Sequence, residues 1–370
     1  MARYFIGLMS GTSVDAVDAV LMDFSRMDSP LVSNFSQPID RELRTEINRI
    51  ISLNTWPQET RALDDQFVRV CAEAIRHLLQ KAAIDADQIE AIGSHGQTVF
   101  HDPQGTPPVS IQIGSAGQLA RETGITTIGN FRQADIAAGG QGAPLACAYH
   151  ARLFRHARED RAVINLGGIA NITFLPADPS KDVEGFDTGP ANTLLDAWVR
   201  HCQGQDFDAG GDWARSGTVN TQLLERMLQE PYFARPPPKS TGRETFSLAW
   251  LQAMLEQHGV SLEAKDVQAS LVELTARSVA QAVENHPLPV VRILLCGGGS
   301  NNDYLVSRIE QGMGAIPVEC TDTHGAPSRW LEAMAFSWLA KRTVDGKPGN
   351  LPSVTGAGQE VVLGEVHRPE

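Results

Sequence analysis

The sequence predicts an α/β fold made of two duplicated domains. Three observations carry this. Short apolar strand runs alternate with amphipathic helical runs along the whole chain. A strand, glycine turn, strand pattern occurs twice, with the turns roughly 155 residues apart, close to one domain length. The 370 residues suffice for two domains, at roughly 150 residues each.

The first strand covers residues 4–9 and runs into Ser10-Gly11-Thr12-Ser13-Val14-Asp15-Ala16-Val17-Asp18; a second strand follows at 17–23. Helices are expected at 40–51 and 61–81. In the second of these, Phe67, Val70, Cys71, Ala74, Ile75, Leu78 and Leu79 share one face. Residues 89–94 read as a buried strand ending in Ser94-His95-Gly96-Gln97-Thr98, and 109–113 as another. A short helix at 115–122 is stopped by Gly124. The polar, glycine-rich stretch 129–142 reads as a long interdomain or active-site loop.

The second half repeats the opening pattern at 163–174, around Gly167-Gly168. Helices are expected at 190–202, 221–229, 246–258 and 266–284. An apolar strand at 290–296 ends in Gly297-Gly298-Gly299 and enters a helix to 312; a last helix covers 327–342. Pro236-Pro237-Pro238 is a stiff extended spacer. The expected division is a first domain at 1–130 and a second at 131–344 with helical insertions. The tail 345–370 packs back on the first.

Composition is that of a folded soluble protein, with 42% hydrophobic and 20% charged residues. The net charge of −13 speaks against nucleic acid or an anionic lipid surface as partner. Five scattered cysteines, with no C-x-x-C, point to reduced thiols and a cytoplasmic protein. The apolar stretch before the first turn is too short for a signal-peptide core. No run reaches the 18 or so apolar residues of a membrane span.

The chemistry-bearing residues cluster at the glycine turns. Backbone amides and hydroxyls of Ser10, Thr12 and Ser13 can donate to phosphate oxygens, and Gly11 keeps the backbone accessible. Asp15 and Asp18 offer hard oxygens to Mg²⁺ or its water shell. No Walker sequence is present, and a plain hairpin turn explains the Gly-Thr-Ser tripeptide as well. Gly167 and Gly168 would grip phosphates from the other side, while Gly297, Gly298 and Gly299 would let a nucleoside lie on bare backbone. Asp187, in Gly185-Phe186-Asp187-Thr188-Gly189-Pro190, is read as sitting just ahead of a helix whose first residue is Pro190. It is either a cap or a general base for phosphoryl transfer to a sugar alcohol. His95 ends a strand, where ligands meet open α/β sheets, and Arg132 can face an anionic group on the substrate. Lys239 and Arg243 supply positive charge or a helix-capping turn.

Taken together these segments resemble the anhydro-N-acetylmuramic acid kinase family of the sugar kinase/Hsp70/actin superfamily. The resemblance runs over 7–18, 93–98, 139–145, 165–171, 185–192, 239–244, 296–299 and Gly349-Asn350-Leu351-Pro352. It implies two actin-like, ribonuclease-H-like domains with a nucleotide cleft between them. It also implies a cytoplasmic homodimer of cell-wall recycling that uses ATP and Mg²⁺ to convert 1,6-anhydro-N-acetylmuramic acid into N-acetylmuramic acid 6-phosphate. Gly11, Thr12, Ser13, Val14, Asp15, Ala16, Val17 and Asp18 match the ATP-binding segment, and Asp187 matches the base that activates water. His95, Gln97, Arg132 and Asn171 are then candidate sugar contacts. The chain departs from the family pattern at Ala16, Asn130, Gln133 and Ala191. Asn130 and Gln133 leave Arg132 but remove charge around it, which bears on the grip on the lactyl carboxylate. Two alternatives stay open: a kinase of another 1,6-anhydrosugar such as levoglucosan, or an actin-like ATP-driven sugar sensor.

Overall fold

The structure, a computed structural model, describes residues 2–26, 30–53, 61–242, 245–259 and 261–369. Its strands, in chain order, are β1 Tyr4–Met9, β2 Ala16–Asp23, β3 Leu31–Pro38, β4 Ile89–Ser94, β5 Gln97–Asp102, β6 Val109–Ile113, β7 Thr127–Gly129, β8 Arg161–Leu166, β9 Ile169–Leu175, β10 Glu184–Pro190, β11 Arg292–Cys296, β12 Val318–Cys320 and β13 Glu365–His367. The chain forms two compact units, one from Met1–Tyr149 with Trp330–Glu370, the other from His150–Arg329.

The first unit holds a six-stranded sheet in the order β13-β7-β4-β1-β2-β3. β1, β2 and β3 form an antiparallel meander, β4 and β7 add parallel to β1, and β13 closes the edge antiparallel to β7. β1 is apolar and covered on both faces. Gly7 of β1 lies opposite Gly93 of β4 in the parallel register. A Cβ on Gly7 would stand 1.9 Å from the Ala333 carbonyl oxygen, and one on Gly93 2.2 Å from that of Phe336. The two bare positions therefore let the helix Leu331–Val344 lie directly on the strands. That helix is buried almost all round, from Ala333 to Ala340, as a helix sandwiched in a core must be. On the other face Ile6, Leu8, Val17, Ala19 and Leu21 meet Phe67, Cys71, Ile75 and Leu78 of the helix Arg61–Ala82. The side hairpin β5–β6 extends from the end of β4.

The second unit repeats this plan in a five-stranded sheet, β10-β9-β8-β11-β12. Its first three strands are again an antiparallel meander, and the last two are parallel to the first. Apart from the added edge strand β13, strand order and direction match in the two halves, which is the duplicated α/β fold that the two strand–turn–strand patterns predict. Its core gathers Ile164, Leu166, Ile172 and Phe174 against Leu195, Leu271, Val272 and Val279.

Three expectations are corrected. Residues 129–142 are not one long loop, because Phe131–Ala137 is a helix with Phe131, Asp135 and Ile136 buried. Its polar residues turn inward to partners elsewhere, so composition misled. Residues 184–190 are strand β10 rather than the approach to a helix. Pro190 ends the strand, where a missing N–H costs no ladder bond, and the helix Asn192–Gln203 starts after it. The units divide at Tyr149/His150 and Arg329/Trp330 instead of at 130/131 and 344/345. The reason lies in the first unit. There the helix Phe131–Ala137 bonds to the C-terminal segment through Asp135, and the helix Leu331–Val344 covers β1 and β4.

Candidate functional site

Candidate residues stand in both units. In the first, the turn between β1 and β2 is closed by a hydrogen bond from the Val14 N–H to the Gly11 carbonyl at 3.2 Å. Val14 has φ +53°, an outlier for a β-branched residue and a mark of a turn held under strain. Ser10 and Gln97 are both buried, and the Ser10 hydroxyl donates to Gln97 Oε1 at 2.7 Å. Gln97, the first residue of β5, thus braces the turn. A Cβ at Gly11 would meet nothing within 4 Å, and the buried Thr12 hydroxyl has no hydrogen-bond partner. An open backbone beside an orphaned donor is what a phosphate-bearing ligand would fill.

Asp15 lies exposed at the end of the turn and accepts from the Ser13 hydroxyl at 2.5 Å. Asp18, within β2, accepts from Ser36 of β3 at 2.6 Å. Among the described residues no three His, Cys, Asp or Glu side chains gather as a metal site. One or two carboxylates completed by water and phosphate oxygens are the usual donor set for Mg²⁺, and Asp15 and Asp18 are donors of that type.

His95 follows β4 and is buried. Its Nδ1 lies 2.9 Å from the Gly96 carbonyl oxygen, and its Nε2 lies 2.8 Å from Nη2 of Arg132. A carbonyl can only accept and a guanidinium can only donate, so the ring is neutral, with its proton on Nδ1. Burial, and then the Arg132 charge, push its pKa down to about 3. Arg132 also donates through Nη1 to the Gly142 carbonyl at 2.6 Å, which orients the guanidinium plane. A cavity of about 300 Å³ opens beside His95, lined also by Ser94, Ser110, Gln112, Asn130 and His367. The Ser94 hydroxyl is buried there without a partner. Asn130, at φ +54°, donates from Nδ2 to Glu365 of the C-terminal segment at 2.6 Å.

In the second unit the two remaining glycine turns come together at the end of β8. The Gly167 and Gly168 carbonyls accept the N–H groups of Ala191, Asn192 and Thr193, and Asn192 Nδ2 adds bonds to Leu166 and Gly167. This turn therefore caps the helix Asn192–Gln203. Gly297, with φ +82°, runs against the same strand end: a Cβ there would stand 2.3 Å from Asn165 Oδ1, and one on Gly299 2.8 Å from the Leu166 side chain. At Gly298 a Cβ would meet nothing within 4 Å.

Asp187 sits in β10 opposite Asn171 of β9. It is 8% exposed, and the Asn171 side-chain oxygen is buried without a hydrogen bond. Because β10 is an edge strand, its outer side is free to bond a strap formed by residues 232–241. The Asp187 N–H donates to the Lys239 carbonyl at 3.2 Å. The Tyr232 hydroxyl donates to the Asp187 carbonyl at 2.6 Å. The Thr241 N–H donates to Asp187 Oδ2 at 2.9 Å. Lys239 closes the ring, with Nζ near the Tyr232 and Phe233 carbonyls at 3.4 and 3.3 Å and 4.8 Å from the Tyr232 ring centre. Burial, and then Arg235, draw the Lys239 pKa down, while Asp187 opposes them. Arg243 and Glu244 lie outside the described residues. The helix-cap interpretation of Asp187 does not hold, because its carboxylate serves the strap.

Sequence reasoning missed Tyr232 and the bracing role of Gln97. The proline run and Lys239 signalled a strap, but nothing local signals which carbonyl Tyr232 reaches. Residues 3–369 match the family described as anhydro-N-acetylmuramic acid kinase. The chain is 47% identical over 367 residues to the anhydro-N-acetylmuramic acid kinase of Coxiella burnetii (strain Dugway 5J108-111), covering 98% of this chain and 97% of that one. It is 45% identical to the same enzyme of Saccharophagus degradans, over 99% of both chains. To that of Pasteurella multocida it is 45% identical, over 99% of this chain and 97% of that one.

Proposed function

The chain belongs to the anhydro-N-acetylmuramic acid kinase family, an ATP-using kinase family, and we propose how its residues divide the conversion of 1,6-anhydro-N-acetylmuramic acid to N-acetylmuramic acid 6-phosphate. Asp187 takes a proton from water, whose oxygen bonds to the anomeric carbon C1. The C1–O6 bond of the bridge breaks, its electron pair stays on O6, and O6 receives the γ-phosphoryl group as ADP leaves. A carboxylate beside an oxocarbenium-like carbon is the arrangement glycosidases use, and capture of O6 removes the charge that would otherwise build on the leaving oxygen. One buried acid and one nucleotide thus serve both halves of the reaction.

The observation that carries this reading is the fixing of Asp187 by the strap, with Oδ2 accepting the Thr241 N–H and the backbone bonded by Tyr232 and Lys239. The turn from Gly11 to Asp18 binds the polyphosphate through Thr12 and the open backbone at Gly11. Gly167, Gly168, Gly297, Gly298 and Gly299 line the nucleotide's site on the second unit, with Gly298 the bare position there. Mg²⁺, held by Asp15 and Asp18 directly or through water, would offset phosphate charge. Arg132, oriented by Gly142 and His95, meets the lactyl carboxylate, and the cavity beside His95 takes the sugar. Gln97 contributes by bracing Ser10.

The proposal extends to a cytoplasmic homodimer. All five cysteines are free thiols, as a reducing compartment requires. No helix among the described residues is long and apolar enough to cross a membrane.

The test is ADP release with 1,6-anhydro-N-acetylmuramic acid and a panel of related anhydrosugars, run in ¹⁸O-water. The expected result is sugar-dependent ADP release, with early label on the C1 hydroxyl of the product. Label in phosphate, or ADP release independent of sugar, would overturn the hydrolytic opening. Faster turnover of levoglucosan would move the reading to another anhydrosugar.

A further inference from the structure

The C-terminal motif Gly349-Asn350-Leu351-Pro352 has no part in the scheme above, yet Asn350 and the nearby Thr355 are buried in the first unit. Asp135 is fully buried on the helix Phe131–Ala137, three residues after Arg132, so the two lie on adjoining turns of one face. Asp135 Oδ1 accepts hydrogen bonds from Asn350 Nδ2 and from the Thr355 hydroxyl, both at 2.7 Å. Its Oδ2 accepts the Gly142 N–H at 2.8 Å. The carbonyl of that same Gly142 holds Arg132 Nη1, and Arg132 Nη2 reaches His95. Further bonds fasten the 138–142 turn to the tail: Gln141 N–H to the Thr355 carbonyl at 2.9 Å, and Gly358 N–H to the Ala138 carbonyl at 2.7 Å. A Cβ on Gly140 would lie 2.2 Å from Asp135 Oδ2, so the turn closes over the carboxyl group with nothing between them.

From this we infer that Asp135, with Asn350 and Thr355 of the C-terminal segment, is a positioning set for Arg132 and so sets the enzyme's grip on the substrate carboxylate. The inference rests on the reading that Arg132 meets that carboxylate. The physical reason is the geometry of a guanidinium. Its N–H groups form a planar fork, so fixing Nη1 on one carbonyl and Nη2 on one imidazole fixes the plane and direction of the whole group. The N–H that Asp135 holds lies in the peptide before Gly142, and the carbonyl that holds Arg132 lies in the peptide after it, so the two are joined through the Gly142 Cα. Loosening the tail's bonds to Asp135 lets Gly142 shift, its carbonyl move and the fork turn. The carboxylate contact then weakens while the acid in the other unit is unaffected. The signature is a rise in KM for the anhydrosugar with little change in kcat.

The experiment is a double-mutant cycle between Thr355→Val and Arg132→Met, with KM and kcat for 1,6-anhydro-N-acetylmuramic acid and for ATP measured on the full chain. Thr355→Val removes one donor to Asp135, and Thr355→Ser restores it. Thr355→Val is expected to raise the sugar KM by about tenfold, the scale of one charged-group hydrogen bond, with kcat and the ATP KM within about twofold of wild type. Thr355→Ser returns KM to the wild-type range. In the Arg132→Met background the Thr355→Val effect disappears, since residues acting through one another are non-additive. The same KM factor in both backgrounds, or a loss confined to kcat, overturns the inference. A wild-type KM in Arg132→Met alone removes the carboxylate contact itself, and the inference falls with it, a result distinct from the previous one. If Thr355→Val does not fold, Asn350→Leu tests the other donor by the same criteria.

Discussion

Replacing Tyr232 by Phe deletes one hydroxyl from the strap that holds the base. The ring itself stays packed: it is 2% exposed and meets Phe246 edge-on at 5.7 Å between centroids, with Phe233 at 6.1 Å. What disappears is the 2.6 Å hydrogen bond to the Asp187 carbonyl. Losing a buried bond of this kind, with its acceptor left short of a donor, costs about 2 kcal/mol. For a unit of this size that lowers Tm by about 4–8 °C. The catalytic consequence is separate. The Asp187 backbone is bonded by Tyr232 on its carbonyl and by Lys239 on its N–H, and removing the first lets the strand edge shift. A misplacement of about 1 Å is worth about a hundredfold in rate, so a drift of about half that lowers kcat by about tenfold. The ATP KM should stay within about twofold. Steady-state ADP release, read beside a thermal melt, separates the two effects. A melt lowered as expected with kcat within about twofold of wild type would refute the claim that Tyr232 positions the acid.

The other predictions concern the base, the turns and pH. Asp187→Asn should lower kcat by about 10²–10⁴-fold while ATP binding, read by calorimetry, changes little; near-wild-type turnover would take the base role from Asp187. Gly7→Ala drives a Cβ into the Ala333 carbonyl and should cost about 3 kcal/mol or more, seen in urea unfolding. Gly11→Ala meets open space, so stability should hold while the Kd for ATP rises about tenfold, or 1.4 kcal/mol; unchanged affinity would remove Gly11 from the phosphate site. His95 and His150 are buried and neutral, with pKa values pushed down to about 3 and about 4. In the unfolded chain both protonate near 6.5, so the unfolded state binds more protons below that pH. Their contribution is complete above about pH 6.5 and is lost as pH falls, by about 1.4 kcal/mol per pH unit for each ring. Urea midpoints at pH 7, 6 and 5 should drop in step, and a flat profile would contradict neutral burial.

What the sequence by itself determined was local. Apolar runs place β1, β4, β8 and β11 within a residue or two, because strands covered on both faces are near-continuous runs of buried residues. The helix 61–81 and the stop at Gly124 follow the same logic, and the glycine turns are legible because few other residues suit tight turns. The residue types at Asp187 and Arg132 suggest acid and cation chemistry. Only the tertiary structure decided what those side chains do. Asp187 was expected beside a helix, but it lies in an edge strand whose partners, Tyr232 and Thr241, stand 45 and 54 residues further on. Residues 129–142 looked like a loop because their polar groups find partners 215 and 220 residues away, at Asn350 and Thr355. A hydrogen bond across such a separation depends on sheet order and on which segment returns to which edge, and no spacing within the sequence encodes that.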